Sequence, residues 1–484
     1  MIARRTFIKS VVATAVAGLV SGCGRNEMAS ASSAPAAGGT RWKLADEIRR
    51  SVRQVAFADQ EFVITDFGAK AESGVDNTQA IKQTIEACHQ AGGGRVVVPA
   101  GRFETGAVHL LSNVNLHLQQ DATLAFLTDP AKYLPAVFTR WEGMEMMGYS
   151  PLIYAFEQTN VAVTGTGTLD GQADDNTWWP WKGKNKHAHW RQDPVELTQK
   201  PARDKLQQQV EAGIPPEQRL HAEGSFLRPA FFQPYRCHQV LIEGVTIVNS
   251  PFWLINPVLS EDVTVRGVTC RSHGPNNDGC DPESCNRVLI EDCLFDTGDD
   301  CIAIKSGRNA DGRRVNTPCQ NILVENCQMK DGHGGLVIGS EISGGARNIF
   351  MQNCHMSSPE LERAIRIKTN SIRGGVIENI NVRNVDVGQV KDAIVVNFYY
   401  EEGDAGSFDP VVRDIHIEDF TVEKAKHAMV IRGFDRAPIE NLLLRNCRFN
   451  QVAKPQVVEH VNNITLDNVW VADKPLTAKD LVTQ

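Results

Sequence analysis

The sequence lacks the features that mark a nucleic-acid-binding or membrane-spanning protein. Its 484 residues carry 50 lysines and arginines against 58 aspartates and glutamates, a formal net charge of -8. A nucleic-acid binder would instead present a basic patch or stripe. No apolar run reaches the roughly 18 to 20 residues that cross a bilayer. No histidine, cysteine and carboxylate cluster has metal-ligand spacing, so neither a metal nor another cofactor is expected.

The first 23 residues resemble an export signal rather than a folded segment. An Arg-Arg pair at residues 4–5 precedes a short apolar run, and the tetrapeptide ending at Cys23 resembles a bacterial lipobox. A secretory signal without lipid is the alternative. Residues 24–57 are predicted to be a flexible tether and linker, because they begin with many alanines, serines and glycines. The mature protein is therefore expected in the periplasm or at the bacterial surface, with membrane contact only through a lipid.

A capping helix is predicted before a solenoid domain that occupies residues 58–484. Ile81, Ile85 and Cys88 follow helical spacing, and three glycines at 92–94 end the pattern. A stacked array needs such a cap, because its end coil otherwise exposes the core.

One short pattern recurs along the rest of the chain: apolar, any, apolar, polar, turn, small apolar. The units begin at Val240, Val263, Val288, Ile322, Ile349, Ile380, Ile415, Leu442 and Ile464. Intervals of about 22 to 35 residues match single coils of a right-handed parallel β-helix, so the predicted fold class is all-β. Alternation places the first and third residues of each unit on one face, which must be internal because it is always apolar.

Two other positions of the repeat indicate local structure. The fifth position holds only glycine, asparagine or aspartate, which tolerate left-handed backbone. The sixth holds cysteine, valine and once phenylalanine, so cysteine is interpreted as a small buried hydrophobe. Four cysteines lie outside the sixth position, which we call the cysteine column, and a disulfide among them remains an alternative: Cys280, Cys285, Cys301 and Cys319.

A long insertion between Gly171 and Tyr235 interrupts the repeat. Its aromatic and cationic residues are Trp178, Trp179, Trp181, Lys182, Lys184, Lys186, His187, His189 and Trp190. Such side chains suit a sugar acid, because rings stack on pyranose faces and cations pair with carboxylates. A structural flap whose tryptophans cover the solenoid is an equally supported alternative.

Acidic residues concentrate between residues 273 and 368. Asp299 follows Val288, the start of its repeat unit, by eleven residues, and His333 follows Ile322 by the same number. Overlaying neighbouring coils therefore stacks Asp299 and His333 roughly 5 Å apart. The same overlay places Asp278 beside Asp300. His333 is interpreted as a hydrogen-bonded partner of Asp299, with a turn residue as the alternative. Three nearby carboxylates repel one another, so one pKa should be raised and that group can act as an acid.

Cationic residues are predicted on the same face. Strand alternation directs Arg366 and Lys368 outward, where they would neutralise the carboxylates or hold an anionic substrate. Lys305 also points outward, either to contact substrate or as part of a solvated surface. Inverting hydrolysis of an acetal needs one acid for the leaving oxygen and a carboxylate that activates water.

Four ordered motifs resemble glycoside hydrolase family 28, the polygalacturonases. They read NND at 276–278, GDD at 298–300, GHG at 332–334 and RIK at 366–368, with DFGAK from 66 and NSPFW from 249. Asn277 stands where the family usually has threonine. The resemblance implies a right-handed parallel β-helix and single-displacement hydrolysis with inversion.

The resemblance also implies individual roles. Asp299 would be the general acid, Asp278 and Asp300 would activate water, and Arg366 and Lys368 would bind galacturonate carboxylates. The candidate catalytic residues are Asp278, Asp299, Asp300 and His333. The candidate substrate-binding residues are Arg366, Lys368, Asn276, Lys305 and Tyr399. For Tyr399, core packing or a solvated edge is an equal alternative.

The substrate expected from the resemblance is the α-1,4-linked galacturonic acid chain of pectin. The presence of both GHG and RIK favours this chain over rhamnogalacturonan. Hydrolysis of another pectic polymer, such as rhamnogalacturonan or xylogalacturonan, is the alternative. The insertion resembles loops that close one end of the cleft in exo-acting members, so release of galacturonic acid from a chain end is expected. The alternatives of another class are a calcium-dependent pectate lyase and a non-catalytic pectin-binding β-helix.

Overall fold

A computed structural model describes residues 38–185 and 188–481 of the chain. The chain divides into two compact units, Met1–Trp42 and Lys43–Gln484. Of the first unit, the described residues 38–42 are helical. The export signal and Cys23 lie outside the described residues, as do Lys186 and His187 of the insertion. None of the helices in the described ranges is long and apolar enough to cross a membrane.

The second unit is the predicted right-handed parallel β-helix, and this prediction is confirmed. A 21-stranded sheet supplies two strand positions in each coil. Its strands are Glu61–Val63, Gly94–Val98, Gly101–Thr105, Val114–Leu118, Ala122–Phe126, Thr159–Gly165, Thr168–Asp170, His238–Glu243, Thr246–Val248, Glu261–Arg266, Thr269–Ser272, Asn286–Glu291, Leu294–Thr297, Cys319–Glu325, Gln328–Met329, Ala346–Met356, Val376–Gln389, Val411–Ala425, Ile439–Val452, Val461–Val471 and Lys474–Pro475.

A third strand position in each coil forms what we call the third sheet. Its strands are Val108–His109, Ile153–Phe156, Phe232–Tyr235, Ile302–Ile304, Leu336–Ile338, Arg363–Lys368, Asp392–Asn397, His427–Arg432 and Val457–Glu459. Isolated bridges at Ile255 and Cys280 connect its first three strands to the others. A separate small sheet consists of Val137–Trp141, Met144–Gly148 and Leu220–His221.

Helices lie at the end of the solenoid and in its insertions. The α-helices are Gly38–Ser51, Thr78–Gln90, Lys200–Glu211 and Asn309–Val315. The 3₁₀ helices are Ile64–Phe67, Pro130–Tyr133, Trp179–Lys182, Val195–Leu197, Pro216–Gln218 and Ala478–Asp480. The predicted capping helix is confirmed as Thr78–Gln90, which buries Ile81, Ile85 and Cys88 against the first coils.

The predicted coil register is also confirmed. Val288 pairs with Ile322, and Ile322 pairs with Ile349. All nine fifth-position residues have positive φ, between 50° and 77°. Left-handed backbone turns the chain sharply between two strand positions, and amide ladders reinforce this turn. For example, Asn468 Nδ2 donates to Asn446 Oδ1 at 2.9 Å.

Cysteine behaves as the repeat predicts. The eleven cysteines in the described residues are buried free thiols, including the four outside the column. Burial raises the pKa of the Cys237 thiol to about 11 and that of Cys447 to about 12. The cysteines therefore fill the core as small apolar groups, and the thiols of Cys237 and Cys447 stay protonated near neutral pH.

The prediction of a flexible linker over residues 24–57 is wrong from residue 43 onward. Here the helix Gly38–Ser51 continues, and Ala45, Ile48 and Val52 are buried. Arg53 Nε also pairs with the fully buried Asp262 at 2.6 Å. The composition-based prediction missed the apolar spacing at 45, 48 and 52, which is helical.

Candidate active site

The register of the third sheet places the residues that we call the catalytic floor: Asp278, Asp299, Asp300, His333, Arg366 and Lys368. Ala303 pairs with Val337, and Val337 pairs with Arg366. The loops that lead into these strands therefore end side by side on the outer surface. This is the arrangement that overlaying the coils predicted.

Asp299 and His333 form the first contact of the floor. His333 Nδ1 lies 2.9 Å from Asp299 Oδ1, and the His333 amide donates to the Asp299 carbonyl at 3.0 Å. Burial disfavours ionisation of Asp299, but His333, Lys368 and Lys182 outweigh it and hold the pKa of Asp299 below its usual range. The Asp299 charge in turn raises the pKa of His333. The predicted stacking is confirmed, and the pair holds one proton on the imidazole.

Asp300 is held by the two cations of the RIK motif. Lys368 Nζ donates to Asp300 Oδ2 at 2.6 Å, and Arg366 Nη1 lies 3.5 Å from Oδ1. A Cβ at Gly334 would lie 2.3 Å from Val337 Cγ2, which explains the second glycine of GHG. The sequence placed these groups together correctly.

Asp278 lies beside Asp300, as predicted. The Gly279 amide donates to the Asp300 carbonyl at 2.9 Å. One oxygen from each of Asp278, Asp299 and Asp300 lies within 4.8 Å of the others. Asp278 Oδ1 is buried without a hydrogen-bond partner in the part of the chain that the structure describes.

The raised pKa expected for one of the three carboxyls belongs to Asp278. Burial is the main cause, and the charges of Asp281 and Asp299 add to it. Lys305 opposes this shift from 3.6 Å. The resemblance assigns the acid role to Asp299 instead, and the free protein keeps that group ionised because His333 is its partner.

Two neighbouring asparagines have separate tasks. Asn276 Oδ1 accepts hydrogen bonds from Lys182 Nζ and Arg228 Nη2, both at 2.8 Å. Asn277 is fully buried, and its Oδ1 accepts from the Gly274 amide at 2.9 Å. Asn277, the departure from the usual family motif, therefore braces the loop that carries Asp278.

Lys305 is buried rather than solvated. Its Nζ lies 3.4 Å from Glu341 Oε2 and 4.6 Å from the centre of the Trp253 ring. The solvated-surface alternative for Lys305 is wrong, because its side chain is buried beside Glu341, Asp278 and Trp253. Lys305 Nζ lies 3.6 Å from Asp278 Oδ2, and both residues line one pocket of the site.

Tyr399 does not reach the carboxylates. Its ring packs 4.8 Å from the Arg432 guanidinium and lies outside the cavity lining. Tyr400 lines the cavity instead, with its ring 5.3 Å from Lys368 Nζ. The predicted contact at Tyr399 is therefore corrected to Tyr400. A strand ends just before these residues, so alternation could not decide which ring faces the site.

A wall of ion pairs closes one side of the site, and the sequence did not reveal it. We call it the end wall, and its residues are Glu142, Arg203, Arg308, Glu341 and Glu401. Glu142 Oε2 lies 2.8 Å from Arg203 and 3.3 Å from Arg308. Arg308 also lies 3.5 Å from Glu341 and 3.6 Å from Glu401. The two arginines outweigh burial and hold the pKa of Glu142 below its usual range.

The insertion covers the floor and supplies part of the wall. Trp178, Trp179 and Trp190 are buried, as a structural cover would have them. Trp179 Nε1 donates to the Ser250 carbonyl at 2.9 Å. Lys182, by contrast, extends to the catalytic floor. The cover and the sugar-acid interpretations thus apply to different residues of the same insertion.

Two pockets meet at Asp299. The inner pocket, about 110 Å³, is lined by Asp278, Asp300, Lys368, Tyr400 and the end wall. The outer pocket, about 200 Å³, is lined by His333, His189, Trp190 and neighbouring loops. Lys182, Asn276 and Asp299 line both pockets. The fold and site thus define an acetal-cleaving class of enzyme, with an acid between two sugar positions and further carboxylates on one side.

The comparisons with known proteins agree with this class. A sequence profile described as Glycosyl hydrolases family 28 matches residues 221–466. A hyperthermoactive exopolygalacturonase from Thermotoga maritima is 42% identical, covers 90% of this chain and 96% of its own, and superposes with a TM-score of 0.86.

Two curated relatives are more distant. A probable polygalacturonase of Vitis vinifera is 27% identical over 82% of this chain and 75% of its own length. An exo-poly-alpha-D-galacturonosidase of Dickeya chrysanthemi is 25% identical over 85% of this chain and 72% of its own. The chain belongs to glycoside hydrolase family 28 and is a glycosidase.

Proposed function

We propose that this glycosidase is an exo-polygalacturonase that releases galacturonic acid from the non-reducing end of α-1,4-galacturonan. The end wall is the observation that carries the exo mode. It blocks the inner pocket beyond one sugar position, whereas the outer pocket lies on the leaving side of Asp299. The exopolygalacturonase from Thermotoga maritima supports the substrate class.

The positions of the carboxylates give the direction of the chain. Asp278 and Asp300 line the inner pocket only, so the attacked carbon belongs to the sugar held there. His333 lines the outer pocket only, so the leaving oxygen departs on that side. The sugar in the closed pocket is then the terminal, non-reducing one.

The proposed reaction uses the Asp299–His333 pair as the acid. His333 passes its proton to the ionised Asp299 across their 2.9 Å contact, and Asp299 gives this proton to the leaving oxygen while the bond from that oxygen to the anomeric carbon breaks. Water forms the new bond to carbon and gives its proton to Asp300. Asp278, whose raised pKa favours its protonated form, holds this water through Oδ1. Arg366 and Lys368 orient Asp300 and face the substrate carboxylates.

Inversion of configuration is part of this proposal. It comes from the resemblance and from the water position at Asp278, not from carboxylate spacing. The nearest oxygens lie within 4.8 Å, whereas inverting pairs commonly stand about 6.5–9.5 Å apart. Proton NMR of the first product tests it: the β-anomer is expected, and the α-anomer would indicate a covalent intermediate.

The product profile tests the function as a whole. Polygalacturonate digested in the presence of a chelator should yield saturated galacturonic acid from the earliest time points. Mid-length oligomers would refute the exo mode, and unsaturated products would indicate a lyase. Activity only on rhamnogalacturonan or xylogalacturonan would refute the substrate.

We also propose that the chain is exported and anchored by a lipid on Cys23. The Arg-Arg pair and the lipobox support this proposal. Cell fractionation with a Cys23→Ala variant tests it. The wild type should partition with membranes, and the variant should be released as a soluble exported protein. Equal partitioning of both would contradict lipidation.

A further inference from the structure

Lys182 is a cation of the site that forms no ion pair with a carboxylate among the described residues. Its ammonium is half-buried where the inner and outer pockets meet, and it donates to Asn276 Oδ1 at 2.8 Å. Among the described residues, no carboxylate oxygen lies within 4.0 Å of Lys182 Nζ in an ion pair. Burial lowers the pKa of Lys182, and the charges of Glu142 and Asp299 offset this effect only in part.

A second cation without an ion pair among the described residues lies next to Lys182. Arg228 is fully buried, and its Nη2 donates to the same Asn276 Oδ1 at 2.8 Å. Its other hydrogen bonds go to the carbonyls of Pro251 and Pro275 and to Gln199 Oε1. Burial lowers the pKa of Arg228 to about 9. Two cations therefore converge on one neutral oxygen.

The other cations of the site are compensated in the free protein. Lys368 and Arg366 pair with Asp300, and Lys305 pairs with Glu341. The arginines of the end wall also have carboxylate partners. Charge that is buried without a partner is costly, so an arriving anion gains most beside Lys182.

We propose that Lys182, backed by Arg228, is a substrate-carboxylate site that the insertion adds to the catalytic floor. It binds the carboxylate of a galacturonate unit that lies against Asp299, next to the cleaved bond. This inference rests on the proposed function. It assigns to Lys182 a specificity role separate from that of the RIK motif.

A double-mutant-type cycle tests the site: the lysine is changed in the enzyme, and the carboxylate is esterified in the substrate. The enzymes are wild type and Lys182→Gln, in which the amide still donates to Asn276 but carries no charge. The substrates are digalacturonate and its two monomethyl esters. The variant should lose roughly 10- to 100-fold in kcat/KM on digalacturonate, mainly through KM, because a charge-assisted contact disappears. On the ester that lacks the bound carboxylate, wild type and variant should be nearly equal.

Two controls separate charge recognition from a structural effect. Lys182→Arg should recover most of the loss, because it restores the cation. Lys184→Gln, an exposed lysine two residues along the same segment, should behave like wild type. An equal loss on digalacturonate and both esters would overturn the proposal, because Lys182 would then only position Asn276. A wild type that releases no galacturonate would instead contradict the proposed function.

Discussion

The catalytic floor and the end wall are built in different ways. Contacts of the floor follow the stacking of the coils: Asp299 pairs with the equivalent His333 of the next coil, and Asp300 pairs with Lys368 two coils further on. Contacts of the wall join segments that do not repeat: a hairpin, an insertion helix and loops after the third-sheet strands. Glu142 and Arg308, for example, are 166 residues apart. The proposed catalytic residues therefore lie on the repeating coils. The proposed exo mode depends on the end wall, which is built from segments outside the repeat.

This difference predicts that substitutions will separate rate from product length. The floor contains carboxylates whose protonation is set by burial and by close partners. The wall consists of ion pairs that compensate one another. Floor variants should change kcat and its pH dependence, and wall variants should change KM and the products.

The largest effect is expected for Asp299→Asn. An amide cannot deliver a proton to the leaving oxygen, so kcat should fall by about 10²–10⁴-fold. Initial rates of galacturonate release measure this loss. Asp296→Asn is the matched control, since Asp296 lies three residues earlier and pairs with Arg271 and His273. If Asp299→Asn retained wild-type kcat, the acid would have to be another group.

A smaller loss, with a shifted pH profile, is expected for His333→Gln. The raised pKa of His333 keeps the shared proton on the pair until pH rises through that value. Without the imidazole the proton stays only on Asp299, so the basic limb of kcat should move to lower pH and kcat should fall roughly 10–100-fold.

The control for this variant comes from the same sheet. His427 Nδ1 lies 2.6 Å from Asp392 Oδ1, a His–Asp pair of similar geometry two coils beyond the RIK strand. His427→Gln should leave the kcat profile unchanged. A basic limb that stayed in place in His333→Gln would remove His333 from the proton path.

Product length is the readout for Arg203→Gln in the wall. Loss of the 2.8 Å contact to Glu142 should loosen the hairpin against the insertion helix. Digalacturonate should then appear beside the monomer, and KM should rise roughly two- to fivefold, because Arg203 is partly exposed. Arg191→Gln, which removes an exposed ion pair on the same insertion, serves as the control. Monomer alone from both variants would show that other parts of the wall suffice.

The smallest effect concerns stability beneath the floor. Asp281 is fully buried without hydrogen-bond partners for its carboxylate in the described residues, and burial outweighs Lys305 to raise its pKa well above the ordinary value. The folded protein therefore favours protonated Asp281, while the unfolded chain ionises near pH 4. Stability should fall as pH rises from the unfolded pKa towards the folded one.

Asp281→Asn should flatten this pH dependence. The loss of Tm between about pH 5 and 8 should shrink by roughly 1–3 °C, measured by calorimetry. Asp409→Asn, which alters an exposed ion pair with Arg436, should keep the wild-type slope. An unchanged slope in Asp281→Asn would mean that Asp281 is ionised in the folded protein.

The sequence predicted the fold and the floor well, because both depend on short-range regularity. A period of two places side chains inside or outside, and equal spacing after the anchors stacks Asp299 on His333. The nine turn residues show the same logic, since their types reveal the left-handed backbone directly. The missed helix after residue 43 shows where composition alone misleads.

What the sequence by itself determined is the coil register, the buried column of cysteines and the meeting of three carboxylates with His333, Arg366 and Lys368. Only the tertiary structure decided the end wall, the burial of Lys305, the choice of Tyr400 and the lack of an ion pair for Lys182 among the described residues. It also placed the raised pKa on Asp278. The reason is physical: register follows from local repeats, whereas burial and charge compensation depend on segments brought together from distant parts of the chain.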